Sequence, residues 1–241
     1  MTVQRLDIHN SDIPLLCRSC EARHKGMCGV LNPQELVEMA RHTHKSQHEE
    51  GSELIGDSTE IRSYANVMRG VVKLSKTLED GRQQVVGLQF APDFLGRLFG
   101  HENMTNAQAA SPVSLCVVPR PALERLIASN PALEHRLMQQ TLRELDEARD
   151  WMVTLGRKTA AEKVASFLLL IATHLDPDGD ANHFAKFDLP LTRADIGDFL
   201  GLTIETVSRH MSKLRQSGII KITHNRRIEV PDLGALRDCC G

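Results

Sequence analysis

The stretch from Leu191 to Leu214 constrains the fold of this chain more than any other part of the sequence. Thr192 and Thr203 are good N-cap residues, each placed before a short run with helical spacing, and Gly201 stands where the chain has to turn between the runs. The apolar positions are spaced to share a small core: Ile196, Leu200, Leu202, Val207, Met211 and Leu214. The stretch therefore predicts a helix-turn-helix, whose second helix enters a DNA major groove.

The outward face of the second predicted helix is polar and charged. It carries Glu205, Ser208, Arg209 and Lys213. Arg209 can bind guanine O6 and N7 bidentately, Glu205 can accept a hydrogen bond from cytosine N4, and Ser208 can take either role. The alternative is a helical hairpin with a solvated face, but the turn, the caps, the core and the nearby positive charge together favour double-stranded DNA as a partner.

Positive charge is concentrated around this helix rather than spread over the chain. Residues 205–228 hold six Lys or Arg against one acidic residue, whereas the whole chain has a net charge of −2. Arg226 and Arg227 stand at the tip of a predicted hairpin of residues 218–222 and 227–230, which suits a wing that touches phosphate. A uniformly basic nucleic-acid binder is excluded, and a locally basic one is predicted.

Strands and a long helix are predicted in the middle of the chain. Residues 48–118 have the texture of strands and turns, and the stretches 71–76 and 84–90 flank Glu79-Asp80-Gly81, where Asp-Gly is a hairpin signal. From Pro121 to Leu155 the pattern is helical. Six apolar or small residues recur there at heptad spacing: Leu137, Thr141, Leu145, Ala148, Met152 and Leu155. This narrow stripe predicts a partner helix, and packing on the chain's own strands is the alternative.

No membrane segment is predicted. A helix is expected from Ala160 to His174, before a turn-rich loop at 176–180, and it holds the longest apolar run, Phe167 to Ala172. That run is far shorter than the roughly 18 residues of a bilayer span. Residues 1–10 are polar and lack the apolar segment of a signal peptide, so we expect a cytoplasmic protein, in which disulfides are rare.

The cysteines then need a different explanation. Cys17, Cys20 and Cys28 have C-x2-C-x7-C spacing in a short Gly-containing segment, and Cys116 lies much further along the chain. Four thiolates suit either Zn²⁺ or an iron–sulfur cluster, and spacing alone does not separate the two. Thiols without any metal are the third possibility, although cysteines this dense are uncommon in a reducing compartment.

The segment 191–222 resembles the C-terminal domain of the CRP/FNR family, specifically its FNR branch, whose recognition helix carries Glu-x-x-Ser-Arg, here Glu205, Ser208 and Arg209. The resemblance covers almost the whole chain and implies an α+β fold. Its implied parts are a cysteine-rich cluster-binding segment (1–31), a β-roll sensor domain of the cyclic-nucleotide-binding type (32–120), a dimerisation helix (121–157) and a winged helix-turn-helix (158–241). It also implies a homodimer that reads a TTGAT-N4-ATCAA-type palindrome and mainly activates transcription. A roll loop such as 79–82 is then expected to touch RNA polymerase.

The resemblance further implies one [4Fe-4S] cluster per monomer, held by three N-terminal cysteines and one cysteine in a Cys-x-x-Pro strand end. Cys17, Cys20, Cys28 and Cys116 match these ligands, whereas Cys239 and Cys240 match none. The best-known members have five residues between the second and third ligands. This chain has seven, which is similar to the alphaproteobacterial FnrN/FnrL subgroup. The implied signal is oxygen, with anaerobic and nitrogen-fixation genes as outputs, and the alternative is a structural zinc or no metal under another signal.

Three other functions are disfavoured. The cyclic-nucleotide branch carries Gly-Glu and then Arg-Ser in the roll, but Arg97 stands at the Glu position and no Arg follows near Asn106, so we expect no cAMP binding. The sequence has no P-loop, dinucleotide glycine motif or nucleophile elbow, so we expect no enzyme. His42, His44 and His48 are interpreted as solvated surface residues.

One position departs from the FNR branch. Its members carry an acidic residue on the dimer face of the long helix, which opposes pairing when the cluster is lost. An ungapped alignment back from Ala160-Ala161-Glu162-Lys163 places Ala148 there, flanked by Asp146, Glu147 and Asp150. We therefore expect the dimer to persist after oxygen exposure better than in the best-known members, because two like charges are missing from the contact. The alternative is a rotated helix, in which Asp150 or Glu147 takes the place of that acid.

Overall fold

The computed structural model describes residues 13–18, 20, 22–175 and 183–241, so the predicted loop at 176–180 lies outside the described residues. The chain forms two compact units. The first contains residues up to 74 together with 88–145, and the second contains 75–87 together with 146–241. Among the residues described, none of the helices combines the length and the apolar character that a bilayer crossing requires.

The first unit begins with short helices. They are α1 (Leu15–Arg18), α2 (Ala22–Lys25), a 3-10 helix (Met27–Val30) and α3 (Pro33–His42). The start of α3 is fixed by a capping box, in which Asn32 Oδ1 accepts from Glu35 N and Glu35 Oε2 accepts from Asn32 N, both at 2.9 Å. Pro33 follows the cap, where its fixed φ suits a first helical residue.

Eight strands between residues 44 and 119 form a β-roll, as expected. They are β1 (His44–His48), β2 (Glu53–Ile55), β3 (Ser63–Arg69), β4 (Val71–Thr77), β5 (Gln83–Phe90), β6 (Phe94–Leu95), β7 (Asn106–Ala109) and β8 (Val113–Pro119). They pair in two sheets, β1-β8-β3-β6 and β2-β7-β4-β5. The predicted hairpin around Glu79-Asp80-Gly81 is confirmed, with Gly81 at a φ of +86° in the turn between β4 and β5.

Alternation along β3 separates two cores. Ala65 and Val67 face a core inside the roll, which they share with residues of β4, β6, β7 and β8. Tyr64 faces the opposite side, where Met27, Leu133 and Leu137 belong to a second core beneath the helices. We call this the helix-side core. Successive strand residues point to opposite faces, so the next residue on the side of Tyr64 is Asn66.

The predicted helical run from Pro121 to Leu155 is correct in type but is divided in two. The structure has α4 (Arg120–Ser129) and α5 (Pro131–Arg157). Asn130 between them is extended, at φ −132° and ψ 91°, because the ring of a following proline disfavours the helical conformation. Asn130 Oδ1 accepts from Leu133 N at 2.9 Å and so caps the first turn of α5.

The second unit contains the helix-turn-helix and a small sheet. Its elements after α5 are α6 (Ala160–Leu175), β9 (Ala185–Asp188), α7 (Arg193–Leu200), α8 (Ile204–Gln216), β10 (Lys221–Thr223), β11 (Arg227–Val230) and α9 (Leu233–Asp238). The sheet order is β10-β11-β9. Both predicted wing strands are confirmed, although the first begins at Lys221. The sequence analysis missed β9, a four-residue strand with Ala185 and Phe187 buried on one face.

The predicted turn chemistry of the helix-turn-helix is confirmed. Thr192 Oγ1 accepts from Asp195 N at 3.1 Å to cap α7, and Thr203 Oγ1 accepts from Thr206 N at 3.3 Å to cap α8. Gly201 has φ +64° and ψ 40°, the left-handed conformation that glycine adopts without strain. Four predicted core residues are fully or almost fully buried, namely Ile196, Leu200, Val207 and Met211, whereas Leu202 and Leu214 are half-buried.

We expect Gly197→Ala to destabilise the second unit. A Cβ at Gly197 would lie 2.6 Å from the backbone oxygen of Leu202, so the turn has to shift, at a cost of about 1–3 kcal/mol. Urea unfolding followed by the fluorescence of Trp151, whose ring packs against that of Phe199 with centroids 4.6 Å apart, measures the change. Gly156→Ala is the control, since no atom lies within 4 Å of its Cβ position. It should stabilise α5 by about 0.5–1 kcal/mol, and equal effects of both variants would contradict the prediction.

Candidate functional site

The first candidate site is a group of cysteines on one face of the β1-β8-β3-β6 sheet. Cys116 lies in β8, and its Cα pairs with that of Lys45 in β1 and that of Asn66 in β3. Directly paired residues place their side chains on the same face, so Cys116 and Asn66 stand side by side. Burial, followed by the nearby thiols of Cys17 and Cys20, raises the pKa of Cys116 to about 11 against the opposing effect of the Thr43 hydroxyl.

The N-terminal segment carries the other three cysteines to this face. Cys17 N donates to Pro14 O at 2.8 Å in α1, and Cys20 N donates to Cys17 O at 3.4 Å in the turn that follows. Cys28 lies in the 3-10 helix and packs against the helix-side core. The pKa of Cys28 is raised, and burial is the largest cause. The thiols of Cys116, Cys17 and Cys20 raise this pKa further. The four predicted ligands are therefore close enough to act on one another electrostatically.

The four cysteine side chains are suited to holding a metal group as thiolates. Burial raises the pKa of Cys17, Cys28 and Cys116, because negative sulfurs are poorly solvated there and repel one another. A metal group with positive charge would compensate both effects. Across the described residues, however, no three His, Cys, Asp or Glu side chains converge as ligands of one ion. The structure gathers the four cysteines, and their convergence on a metal stays a prediction.

The remaining cysteines and the histidine group are not among the four predicted ligands. Cys239 and Cys240 are at the C-terminal end of α9 in the second unit, where Cys240 Sγ lies 3.4 Å from Leu236 O. His42 ends α3 and His44 begins β1, both exposed to solvent. His42 and His44 flank Thr43, whose hydroxyl acts on Cys116, but both imidazoles are exposed.

The second candidate site is the outward face of α8. Glu205, Arg209 and Lys213 are exposed and follow one another at four-residue spacing, so they share one face, with Ser208 half-buried beside them. Backbone N–H donation from Glu205 itself, with help from the Thr203 hydroxyl, lowers the pKa of the Glu205 carboxyl. Glu205 is therefore an anion held at the N-terminus of α8, where the helix dipole also favours negative charge.

The wing is attached to the helix-turn-helix by contacts that the sequence analysis missed. His224 and Asn225 both have positive φ, at 51° and 60°, and form the turn between β10 and β11. An Arg193 guanidinium nitrogen donates to Asn225 O at 3.4 Å, and Leu189 N donates to Arg226 O at 2.8 Å. These bonds fix the tip that presents the exposed Arg226 and Arg227. No sequence pattern signals Arg193, because its partner is a backbone oxygen far along the chain.

His210 is a further residue of this surface that sequence reasoning did not single out. Its pKa is lowered by partial burial and then by the positive charges of Arg209 and Lys213. His210 therefore carries no charge near neutral pH and adds a hydrogen-bonding group rather than a cation to the face of α8. Its position next to Arg209 in the sequence could have indicated that His210 belongs to this surface.

The predicted pairing stripe on α5 is mostly exposed. Thr141, Leu145, Ala148 and Met152 are exposed, Leu155 is half-buried, and Leu137 is buried in the helix-side core. Large apolar side chains extend the exposed stripe on one side of it: Met138, Leu142 and Val153. Leu137 thus packs on the chain's own first unit, whereas the rest of the stripe leaves an apolar helix surface open to a partner.

A cavity of about 410 Å³ lies in the first unit where Arg97 meets α5. Its wall also contains Glu134 and Glu144, so two carboxylates oppose the arginine. The loop 79–82, between β4 and β5, is exposed and held by an ion pair of 2.8 Å between Arg82 and Asp80.

Two family models match the chain. A cyclic nucleotide-binding domain matches residues 45–130, and a Crp-like helix-turn-helix domain matches residues 162–239. These ranges correspond to the β-roll and to the unit that contains α7 and α8.

Similar proteins cover nearly the full length of the chain. A probable transcriptional activator of Rhizobium leguminosarum bv. viciae is 51% identical over 98% of each chain. The transcriptional activator protein FnrL of Cereibacter sphaeroides is 36% identical over 93% of this chain and 92% of its own. The solved structure of FixK2 from Bradyrhizobium japonicum is 33% identical, covers 83% of this chain and 98% of its own, and superposes with a TM-score of 0.76. With its β-roll, long helix and helix-turn-helix, the chain belongs to the CRP/FNR family of DNA-binding transcription regulators.

Proposed function

We propose that this chain is an oxygen-responsive transcription activator, which binds a TTGAT-N4-ATCAA-type palindrome as a homodimer while a [4Fe-4S] cluster is intact. The observation that carries the proposal is that Cys17, Cys20 and Cys28 lie close enough to one another and to Cys116 of β8 to interact electrostatically, with Asn66 of the roll between Cys28 and Cys116. The names of the relatives support it, since FnrL is described as an activator and the FixK of Bradyrhizobium diazoefficiens, 38% identical over 86% of this chain, as a nitrogen fixation regulation protein.

The chain's own residues connect the cysteine segment to the pairing helix. Arg136 of α5 donates to the backbone oxygens of Lys25 and Gly26, which immediately precede Met27 and Cys28. Met27 is fully buried in the helix-side core with Leu133 and Leu137 of the same helix. A cluster held by the four cysteines would supply a centre that oxygen can degrade. The segment that holds it is thus bonded directly to the first turns of α5.

DNA binding then depends on pairing. The exposed apolar stripe of α5 provides a surface for a second copy, and CRP/FNR regulators act as dimers. Two recognition helices bind two half-sites about 34 Å apart, so a palindrome is read only by the pair. Any loss of dimer affinity weakens DNA binding by mass action. We assign the exposed loop 79–82 to RNA polymerase contact.

The test is an anaerobic preparation of the full chain. We expect broad visible absorption with about four iron and four sulfide ions per chain, and loss of both the colour and the palindrome binding on exposure to air. One zinc ion and a colourless protein would instead support a structural thiolate site and overturn the proposed cluster.

Loss of the cluster weakens pairing, so palindrome binding falls at the low protein concentrations of a DNA-binding assay. At about micromolar concentration we still expect the metal-free protein to be a dimer and Ala148→Asp to make it monomeric. Ala148 lies exposed on the stripe, where an aspartate would face its copy across an apolar contact. Sedimentation velocity separates the 26.8 kDa monomer from the dimer. Ala132→Asp is the matched control, because Ala132 is exposed on nearly the opposite face of α5. A wild-type protein that is monomeric without its metal would contradict the prediction and point to Asp150 or Glu147 as the repelling acid.

A further inference from the structure

Asn66 is a buried amide at the centre of the cysteine face. Only 5% of its surface is exposed, and it lies in β3 between Cys116 of β8 and Phe94 of β6, to both of which its Cα is paired. Its Nδ2 lies 3.8 Å from Cys28 Sγ, within hydrogen-bond reach of a sulfur acceptor. Asn66 therefore contacts one predicted ligand and stands directly beside another, although the two are far apart in the sequence.

The amide of Asn66 is incompletely satisfied. Within the part of the chain that the structure describes, its buried Oδ1 has no hydrogen-bond partner. An unpaired polar group in a sheet interior costs free energy, and an apolar side chain of the same shape would avoid that cost. The contact that the amide does make is with sulfur. A neutral thiol is a weak acceptor, whereas a thiolate is a strong one, so the amide suits the charged state of Cys28 better than the neutral one.

We propose that Asn66 is a positioning residue for the metal group: its amide N–H donates to Cys28 sulfur when the thiolates hold that group, and so fixes Cys28 and stabilises negative charge on it. This inference rests on the proposed function only for the choice of an iron–sulfur cluster as the metal group. Any metal that these cysteines bind as thiolates would leave negative charge on the Cys28 sulfur. Hydrogen bonds to the ligand sulfurs are one of the features that set the reduction potential of a cluster. Groups that orient metal ligands in this way also typically contribute about 10–100-fold to metal affinity.

The test variant is Asn66→Leu, which keeps the size and removes the donor. In the metal-free protein it should unfold at an equal or higher urea concentration than wild type, because an unsatisfied amide is replaced by an apolar group. Metal binding, by contrast, should be weaker in this variant than in wild type. We expect the affinity for Co²⁺, titrated anaerobically and read from sulfur-to-cobalt charge-transfer absorption, to fall about tenfold or more. A merely structural asparagine would weaken the metal-free protein and would leave the Co²⁺ affinity of the folded fraction unchanged.

In the cluster-loaded protein, Asn66→Leu should shift the reduction potential to a more negative value and speed the loss of visible absorption in air. Gln89→Leu is the matched control, because Gln89 is also a buried strand amide whose oxygen lacks a partner in the described residues, but it lies in β5, in the sheet that does not contain Cys116. Asn66→Asp, which adds negative charge beside the sulfurs, should bind Co²⁺ more weakly than Asn66→Leu.

The two proposals fail in different ways. A wild-type protein that binds Co²⁺ but assembles no iron–sulfur cluster would overturn the proposed function, and the Co²⁺ affinities of the variants would still decide the role of Asn66. Equal Co²⁺ affinity of wild type, Asn66→Leu and Gln89→Leu would overturn the role of Asn66, whatever the cluster content of the protein.

Discussion

Arg209→Ala should abolish specific DNA binding while the fold remains intact. The guanidinium is exposed on the face of α8 that also carries Glu205 and Lys213, so its removal leaves the helix-turn-helix core unchanged. One bidentate arginine–guanine contact contributes roughly 1–3 kcal/mol of discrimination, and a palindrome read by two copies loses about twice that amount. Specific sites are typically bound about 4–10 kcal/mol more tightly than non-specific DNA, so this loss removes much or all of the preference for the palindrome.

Fluorescence anisotropy with a labelled palindrome and a scrambled duplex, at one fixed salt concentration, measures this loss. Arg215→Ala is the matched control, because Arg215 is exposed in the last turn of the same helix and its removal changes the charge equally. We expect the control to weaken binding to both duplexes by the same small factor. A palindrome affinity of Arg209→Ala equal to that of Arg215→Ala would remove Arg209 from the residues that read bases.

Cys116→Ala should prevent stable cluster assembly as severely as Cys20→Ala. Cys116 is the one predicted ligand in a strand of the roll, and the other three lie in the N-terminal helices and the turn between them. Without it, three ligands from one segment would leave an iron corner open to water and would no longer tie that segment to the sheet. Palindrome binding by the anaerobic protein should be lost together with the iron.

Iron and acid-labile sulfide per chain, measured after anaerobic reconstitution, are the readout. Cys239→Ala is the control, since Cys239 lies in the second unit, and it should keep the iron content of the wild type. A full iron complement and full anaerobic DNA binding in Cys116→Ala would mean that the fourth ligand is a different residue.

The helix-turn-helix could be predicted almost residue by residue because its determinants are local. Thr192, Gly201 and Thr203 act on backbone groups within a few residues of themselves. A threonine before a helix or a glycine after one can therefore be recognised from the neighbouring sequence alone. The hairpin at Asp80-Gly81 was predictable for the same reason.

The parts that could not be predicted depend on contacts between distant residues. The heptad spacing of α5 includes Leu137, yet the roll of the same chain buries that residue, since spacing defines a stripe and not its partner. The strand β9 is too short to show a pattern and is held by pairing with β11. No sequence motif marks Asn66, because its position beside Cys116 follows from the register between two strands that are distant in the sequence.

The bonds of Arg136 have a consequence for how this protein family can vary. Arg136 binds the backbone oxygens of Lys25 and Gly26, not their side chains. Every residue type offers such an oxygen, so the residues at positions 25 and 26 can change type without losing the bond. The stretch between Cys20 and Cys28 can also change its length, provided that two successive carbonyls still reach α5. Such an attachment tolerates the seven-residue interval of this chain, against the five expected from the best-known members. Selection there should act on Arg136, the cysteines and the buried Met27 rather than on the side chain of Lys25.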